Sequence, residues 1–174
     1  PGPIVSRLVD DAVHIADGVP GASLARAFNA RAFVAASAGD VETTRAALSD
    51  LSRVYEMIPD GRRESPLWSF SERRMHWGQA YPSALIGDTD RASNEVEQSL
   101  ALCPADFHAD IAELKLLQAL GLTHDRDVTT GLDTAIAAVG NSPLGASRRR
   151  ILGQIIDALP REAGLCPLPE SCAP

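Results

Sequence analysis

The sequence predicts an all-α protein, and three observations support that fold class. Alanine and leucine, both good helix formers, account for 27 and 19 of the 174 residues. Apolar residues recur at spacings of three and four between short Gly-Asp, Pro and Asn-Ser-Pro breaks, as they do on one face of an α-helix. No segment shows the alternating apolar and polar pattern of a β-strand.

The spacing and the breaks predict eight helices joined mostly by tight turns. In chain order they cover residues 4–17, 24–38, 41–58, 70–86, 89–103, 107–122, 126–139 and 142–159. Pro82 lies inside the fourth helix, and because proline has no backbone N–H to donate, we expect a kink there.

Residues that cap helices mark several of the predicted starts. Ser23 and Asp40 precede the second and third helices and can accept hydrogen bonds from the first turn. Ser69 and Glu72 have the spacing of a capping box. The run 141–143, Asn-Ser-Pro, combines a cap residue with a proline in the first turn and so predicts the start of the last helix.

Three breaks divide the chain into repeated helix pairs. Gly-Asp breaks lie at 39–40 and 87–88, and a His-Asp break follows at 124–125. Each helix pair is too small to bury its apolar face alone, so self-similarity at such intervals indicates that the units stack on one another.

The segment 84–104 resembles the second half of a tetratricopeptide repeat (TPR). A small residue precedes its Gly-Asp turn, Ala92 follows in the second helix, and Pro104 closes the unit. Residues 40–51 and 125–136 resemble weaker copies. The resemblance implies a right-handed superhelical stack of antiparallel helix pairs, a TPR-like α-solenoid, whose concave face is lined by the first helix of each pair.

A second resemblance concerns residues 65–74, Ser-Pro-Leu-Trp-Ser-Phe-Ser-Glu-Arg-Arg, together with Tyr81 and the Gly-Asp-Thr-Asp-Arg-Ala turn at 87–92. These residues resemble the C-terminal region of actinobacterial helix-turn-helix (Xre-type) transcription regulators. In those proteins a DNA-binding domain precedes a TPR-like region that senses a ligand, dimerises, or both. The resemblance implies that residues 1–159 form such a region and that a DNA-reading part lies on their N-terminal side. Residues 160–174, which contain four prolines, are predicted to be a proline-rich tail.

Aligning the helix pairs at their breaks places one trio of residues on a single face of each first helix. The trios are Arg26, Asn29 and Phe33, then Arg74, Trp77 and Tyr81, then Ile111, Leu114 and Gln118. In a TPR-like array this face lines the groove. We therefore expect seven groove residues: Arg26, Asn29, Phe33, Arg74, Trp77, Tyr81 and Gln118.

The chemistry of these residues suits a peptide or a small ligand that carries a carboxylate. Arginine binds a carboxylate bidentately, Asn and Gln pair with peptide groups, and aromatic side chains supply contact area. In the alternative interpretation, the three aromatic residues belong to the core and the arginines are simply solvated.

Charge and cysteine content narrow the function classes. With a net charge of −7, the segment lacks the clustered positive charge that direct nucleic-acid binding needs. The run Arg148–Arg150 is interpreted as a solvated face rather than a set of phosphate contacts. No apolar run is long enough for a membrane span. Three cysteines fit a reducing cytoplasm, where Cys166 and Cys172 are free thiols or, alternatively, a disulfide.

No motif for catalysis, for a metal or for a cofactor is evident. The four histidines lie at 14, 76, 108 and 124, none at zinc-ligand spacing to another His or Cys. We expect a non-catalytic, cytoplasmic binding module, the ligand-sensing or oligomerisation region of a transcription regulator. Its expected partners are a peptide, a small-molecule effector, a partner protein or a second copy of the chain. The alternatives are a free-standing TPR-like adaptor or scaffold and, third, an all-α enzyme.

Overall fold

The computed structural model describes residues 3–16, 18–59, 70–140 and 145–160. Within these ranges the chain forms eight α-helices and no strand, which confirms the all-α class. The helices are α1 (Pro3–Ile15), α2 (Ala22–Ser37), α3 (Val41–Met57), α4 (Glu72–Leu85), α5 (Thr89–Ala101), α6 (His108–His124), α7 (Val128–Gly140) and α8 (Ala146–Ala158). None of these described helices is long and apolar enough to cross a membrane.

The predicted cap at the start of α3 is confirmed. Asp40 accepts a hydrogen bond from the backbone N–H of Thr43 at 2.9 Å. Hydrogen bonds from Thr43 hold the pKa of the Asp40 carboxyl below its ordinary value.

Two other predicted caps are wrong, and a third lies outside the described residues. Helix α2 begins earlier than expected, directly after Gly21, so Ser23 already lies inside the helix. Helix α4 is capped by Ser71, whose hydroxyl accepts from the backbone N–H of Arg74 at 3.4 Å, because Ser71 stands immediately before the first helical residue. The predicted start at 141–143 falls outside the described part of the chain, and α8 begins at Ala146.

The three turns between paired helices share one backbone conformation. Gly39 and Gly87 adopt left-handed angles, with φ of 76° and 72°, and the next N–H bonds back to a carbonyl five residues earlier. In the third turn this position is Arg126, with φ of 69°, followed by the bond from Asp127 N to Leu122 O at 3.0 Å. Each turn is therefore a Schellman-type ending in which a left-handed residue satisfies the last carbonyls of a helix.

The third break is therefore not at 124–125, as the sequence predicted, but at 126–127. The left-handed residues lie at positions 39, 87 and 126, so the third unit begins two positions later than expected. The small buried residue of the second helix is accordingly Gly131, which corresponds to Thr44 and Ala92 in the first two units.

Packing joins these hairpins side by side. Helices α2 and α3, α4 and α5, and α6 and α7 pack extensively as pairs, α4 also contacts α2 and α6, and α8 packs on α6. One hydrophobic core cluster contains residues of all five helices from α4 to α8, among them the fully buried Leu114, Leu117 and Ile151. A second, with Leu51 and Phe70, joins α2, α3 and the start of α4. The central helix α4 therefore belongs to both.

The tightest point of the third hairpin gives a direct test of this packing. A Cβ at Gly131 would lie 2.8 Å from Thr123 Oγ1 and 3.1 Å from the carbonyl oxygen of Ala119. Thr123 is fully buried and donates its hydroxyl hydrogen to the same carbonyl, so it has little room to move. We expect Gly131→Ala to lower the free energy of unfolding by about 1–3 kcal/mol in chemical denaturation.

The control is Gly153→Ala in α8, where nothing lies within 4 Å of the added carbon. Because alanine is the better helix former, this variant should be more stable by about 0.5–1 kcal/mol. A Gly131→Ala protein as stable as the Gly153→Ala protein would contradict the close approach of α6 and α7.

Candidate functional site

Two adjoining cavities lie where α2, α4, α6 and α8 meet. The first, here called the apolar cavity, has a volume of about 430 Å³, and its walls come from α2, α4 and α8. The second, the charged cavity, has a volume of about 350 Å³ and is bounded by α2, α4 and α6. Arg26, Asn29 and Trp77 line both cavities. We refer to the two together as the groove.

The structure brings six of the seven predicted residues to this groove. Phe33 and Tyr81 line the apolar cavity, and Arg74 lines the charged cavity. Arg26, Asn29 and Trp77 are the shared residues. The positions that correspond in the first two helix pairs therefore do face one another.

Gln118 is the exception, since it lines neither cavity. It accepts a hydrogen bond from Lys115 Nζ at 3.0 Å, and Lys115 lines a different depression, between α6 and α7. The cause is the position of the third break. When the units are aligned on Gly87 and Arg126, Arg74 corresponds to Glu113, which does line the charged cavity.

The aromatic residues of the apolar cavity divide between core and cavity wall. Tyr81 is 4% exposed and belongs to the core, as the alternative interpretation held. Phe33 and Trp77 are half-buried and pack against that core. Edge-to-face contacts connect the three, with ring centroids 5.1 Å apart for Phe33 and Tyr81 and 6.4 Å apart for Trp77 and Tyr81.

Helix α8 forms a third wall that the sequence did not predict. The Tyr81 hydroxyl donates to Gln154 Oε1 at 2.8 Å, and the guanidinium carbon of Arg150 lies 4.6 Å from the centre of the Phe33 ring. Arg150 is therefore not a purely solvated member of the run Arg148–Arg150. It lines the apolar cavity and makes a cation–π contact there.

Most charges of the charged cavity already have partners. Arg73 pairs with Asp110 at 2.6 Å and lies over the Phe107 ring at 5.3 Å. Glu113 accepts a hydrogen bond from the Ser147 hydroxyl at 2.7 Å. The guanidinium of Arg74 is exposed and forms no ion pair with any other described residue. With respect to the described residues, an anionic ligand can thus reach Arg74 without breaking an existing ion pair.

The described residues give no evidence of a metal site or of a reactive thiol. No group of three or more His, Cys, Asp or Glu side chains there could hold a metal ion. His76 is half-buried and its Nδ1 lies 2.6 Å from Glu95 Oε2, joining α4 to α5 away from the groove. Cys103 is a free thiol whose pKa is raised by burial. Cys166 and Cys172 lie outside the described residues.

The phenol at the base of the apolar cavity should be visible in alkaline titration. Burial raises the pKa of Tyr81 above its ordinary value. Above about pH 10 an unfolded tyrosine loses its proton while the folded one keeps it, so this residue makes stability fall as the pH rises. We expect the free energy of unfolding of Tyr81→Phe to decline less steeply between about pH 10 and 11, as measured by denaturant melts.

At neutral pH the same variant should lose about 0.5–1.5 kcal/mol, because the hydrogen bond to Gln154 is absent. Parallel pH profiles of the two proteins would contradict the burial of this hydroxyl.

Comparisons with known proteins leave the function to be argued from the groove. No protein-family model, no curated protein and no solved structure matches this chain. The TPR-like and regulator-like resemblances in the sequence therefore stay predictions. What the structure contributes is a groove of known residues and geometry.

Proposed function

We propose that this protein binds, without catalysis, a ligand that carries a carboxylate, and that the ligand lies in the groove across α2 and α4. The observation that carries this proposal is Arg74. Its guanidinium is exposed beside the half-buried Trp77 and, among the described residues, has no anionic partner. An arginine so placed can bind a carboxylate bidentately while the indole excludes water from one side.

The charges around Arg74 support an anionic ligand. Arg74 carries a positive charge at the charged cavity that pairs with no described anion, whereas Asp110 and Glu113 already bind Arg73 and Ser147. A carboxylate neutralises the charge of Arg74, whereas a cationic ligand would add to it in a partly enclosed space where charges are less screened than in water.

We further propose that the helices form a TPR-like, right-handed stack of antiparallel pairs. The repeated left-handed turn at 39, 87 and 126 supports this proposal, as does the small buried residue that follows each turn, Thr44, Ala92 or Gly131. The role as the sensory or oligomerisation region of a cytoplasmic transcription regulator rests on the sequence resemblance. In that role, occupancy of the groove is the signal.

The binding test uses Trp77 as a reporter. Changing Trp68→Phe leaves Trp77 as the only tryptophan, and its fluorescence follows titration with 3-phenylpropionate, a probe with one ring and one carboxylate. We expect Arg74→Ala to weaken binding tenfold or more, because a charge-assisted hydrogen bond contributes about 1.5–3 kcal/mol. The melting temperature should hardly change, since Arg74 is exposed.

Arg149→Ala is the matched control, because Arg149 is an exposed arginine of α8 that lines neither cavity. It should leave both affinity and melting temperature unchanged. Equal affinities of the Arg74→Ala and Arg149→Ala proteins would overturn the proposal. Trp77→Ala is a poorer test, because its side chain also packs on the core and its loss should cost stability as well as binding.

A further inference from the structure

We propose that the depression between α6 and α7 is a second binding site, and that its ligand is an aliphatic monocarboxylate such as a medium-chain fatty acid. This inference goes beyond the proposed function and does not depend on the groove. The depression, here called the lysine cavity, has a volume of about 690 Å³, and none of its lining residues lines the groove. Its polar residues are His108, Lys115 and Thr134, and its apolar residues are Ile111, Ala112, Ala137 and Ala138.

The first step is the positive charge of Lys115, which no described residue neutralises. The side chain is half-buried at the cavity wall. Its ammonium donates one hydrogen bond, to Oε1 of the neutral Gln118 at 3.0 Å, and has no other partner within the described ranges. The remaining N–H groups of the ammonium are therefore available to a ligand. Gln118, which lies outside the groove, thus holds the ammonium in place at this second cavity.

The second step is the character of the groups around that ammonium. Of the described residues that line the lysine cavity, none is acidic, although the chain has a net charge of −7. Within the same ranges, neither the Thr134 hydroxyl nor the His108 ring forms a hydrogen bond with another residue. The hydroxyl can donate to a ligand oxygen beside the ammonium. The cavity therefore offers hydrogen-bond donors and a positive charge, which suit an anion.

The size of the ligand's charge follows from the same groups. Lys115 supplies one positive charge, and the Thr134 hydroxyl is neutral. A carboxylate carries one negative charge and is balanced by the ammonium. A phosphate monoester carries nearly two negative charges at neutral pH, so part of its charge would stay unpaired in a protein that is already negative.

The third step places the carboxylate at one end of the cavity. Gln118 and Thr134 stand equally far, in sequence, before and after Arg126, the left-handed residue of the turn. Because α6 and α7 pack against each other as a hairpin, these two residues lie at the same level of the pair. The hydrogen bond to Gln118 turns the Lys115 ammonium toward that level. The ammonium and the Thr134 hydroxyl therefore meet at one end, where the carboxylate binds.

The fourth step concerns the rest of the cavity, which is apolar. Its walls there are Ile111 and Ala112 on α6 and Ala137 and Ala138 on α7. His108 stands seven positions before Lys115, which is about 10 Å along the helix axis, and it is exposed at the other end. An aliphatic chain can extend over this distance. A sugar or another hydroxyl-rich ligand would lose its hydrogen bonds to water along these walls without gaining others.

The binding test uses the amine itself as the reporter. Lys115 is the only lysine of the sequence, so reductive methylation with isotope-labelled formaldehyde gives a single dimethyl-lysine, which keeps its positive charge. Its absence from the spectrum of the Lys115→Arg protein assigns the signal. Titration with octanoate should shift this signal until it saturates. Methyl octanoate, with the same chain and no charge, should leave the signal in place.

Variants of the cation connect the affinity to Lys115. In equilibrium dialysis, Lys115→Gln should bind octanoate tenfold or more weakly than the unchanged protein, because the charge-assisted hydrogen bond is lost. Lys115→Arg retains the charge and should retain most of the affinity. The melting temperature of both variants should hardly change, since Lys115 is only half-buried and forms no ion pair with a described residue.

A charge placed on α7 tests the position of the ligand. Ala137 is exposed at the cavity wall, so Ala137→Glu adds an anion there without disturbing the core, and it should weaken octanoate binding. Ile136→Glu is the matched control, because Ile136 is a neighbouring, 69% exposed residue that does not line the lysine cavity. This control should bind octanoate as the unchanged protein does.

Arg74→Ala separates this site from the groove and should leave octanoate binding unchanged. A dimethyl-lysine signal that did not move, full affinity of Lys115→Gln, or equal affinity for methyl octanoate would overturn the inference. If octanoate binding were lost in Arg74→Ala and kept in Lys115→Gln, the acid would lie in the groove. The inference would then fall while the proposed function gained support. The titration with 3-phenylpropionate decides the proposed function independently.

Discussion

The groove depends on the close crossing of α2 and α4, where a side chain of one helix lies directly on the backbone of the other. Any residue larger than glycine at 78 would meet the Asn29 amide at less than 3 Å. At the same crossing the Tyr81 ring of α4 contacts the Phe33 ring of α2, and Asn29 and Trp77 line both cavities. The absence of a side chain at Gly78 thus lets the Asn29 amide lie against α4 where the two cavities adjoin.

The turns between paired helices determine which faces meet at that crossing. Each turn ends its first helix with a residue in the left-handed conformation, at 39, 87 and 126. The direction in which each residue of a first helix points therefore depends on how many positions it precedes that left-handed residue. The position of one turn residue controls whether Arg74, or the residue aligned with it, points into the groove or away from it.

This dependence explains which features could be predicted from the sequence. Glycine is the usual residue at φ near +70°, so the sequence alone indicated the turns at Gly39 and Gly87. Aligning the first two helix pairs on these turns then predicted six of the residues that line the groove. Arg126 adopts the same angle without a glycine, and the sequence carries no comparable signal there. The resulting error of two residues is about 200° around a helix, which is why Gln118 was assigned to the wrong face. The clue was Asp127, which accepts a hydrogen bond from the Thr130 N–H as Asp40 does from Thr43.

The sequence pattern could not predict the wall formed by α8. Helix α8 lies outside the three helix pairs, so its position depends on tertiary packing and not on the repeat. Ile151 and Ile155 fix α8 on the core, and polar contacts then connect it to the groove through Ser147, Arg150 and Gln154. A ligand bound in the apolar cavity, as we propose, would contact three helices that are distant in sequence. Since a ligand stabilises whatever arrangement it binds, its free energy of binding would be linked to the position of α8 as well as to the α2–α4 crossing. That linkage would give the proposed binding module a physical means to couple occupancy of its groove to the position of α8.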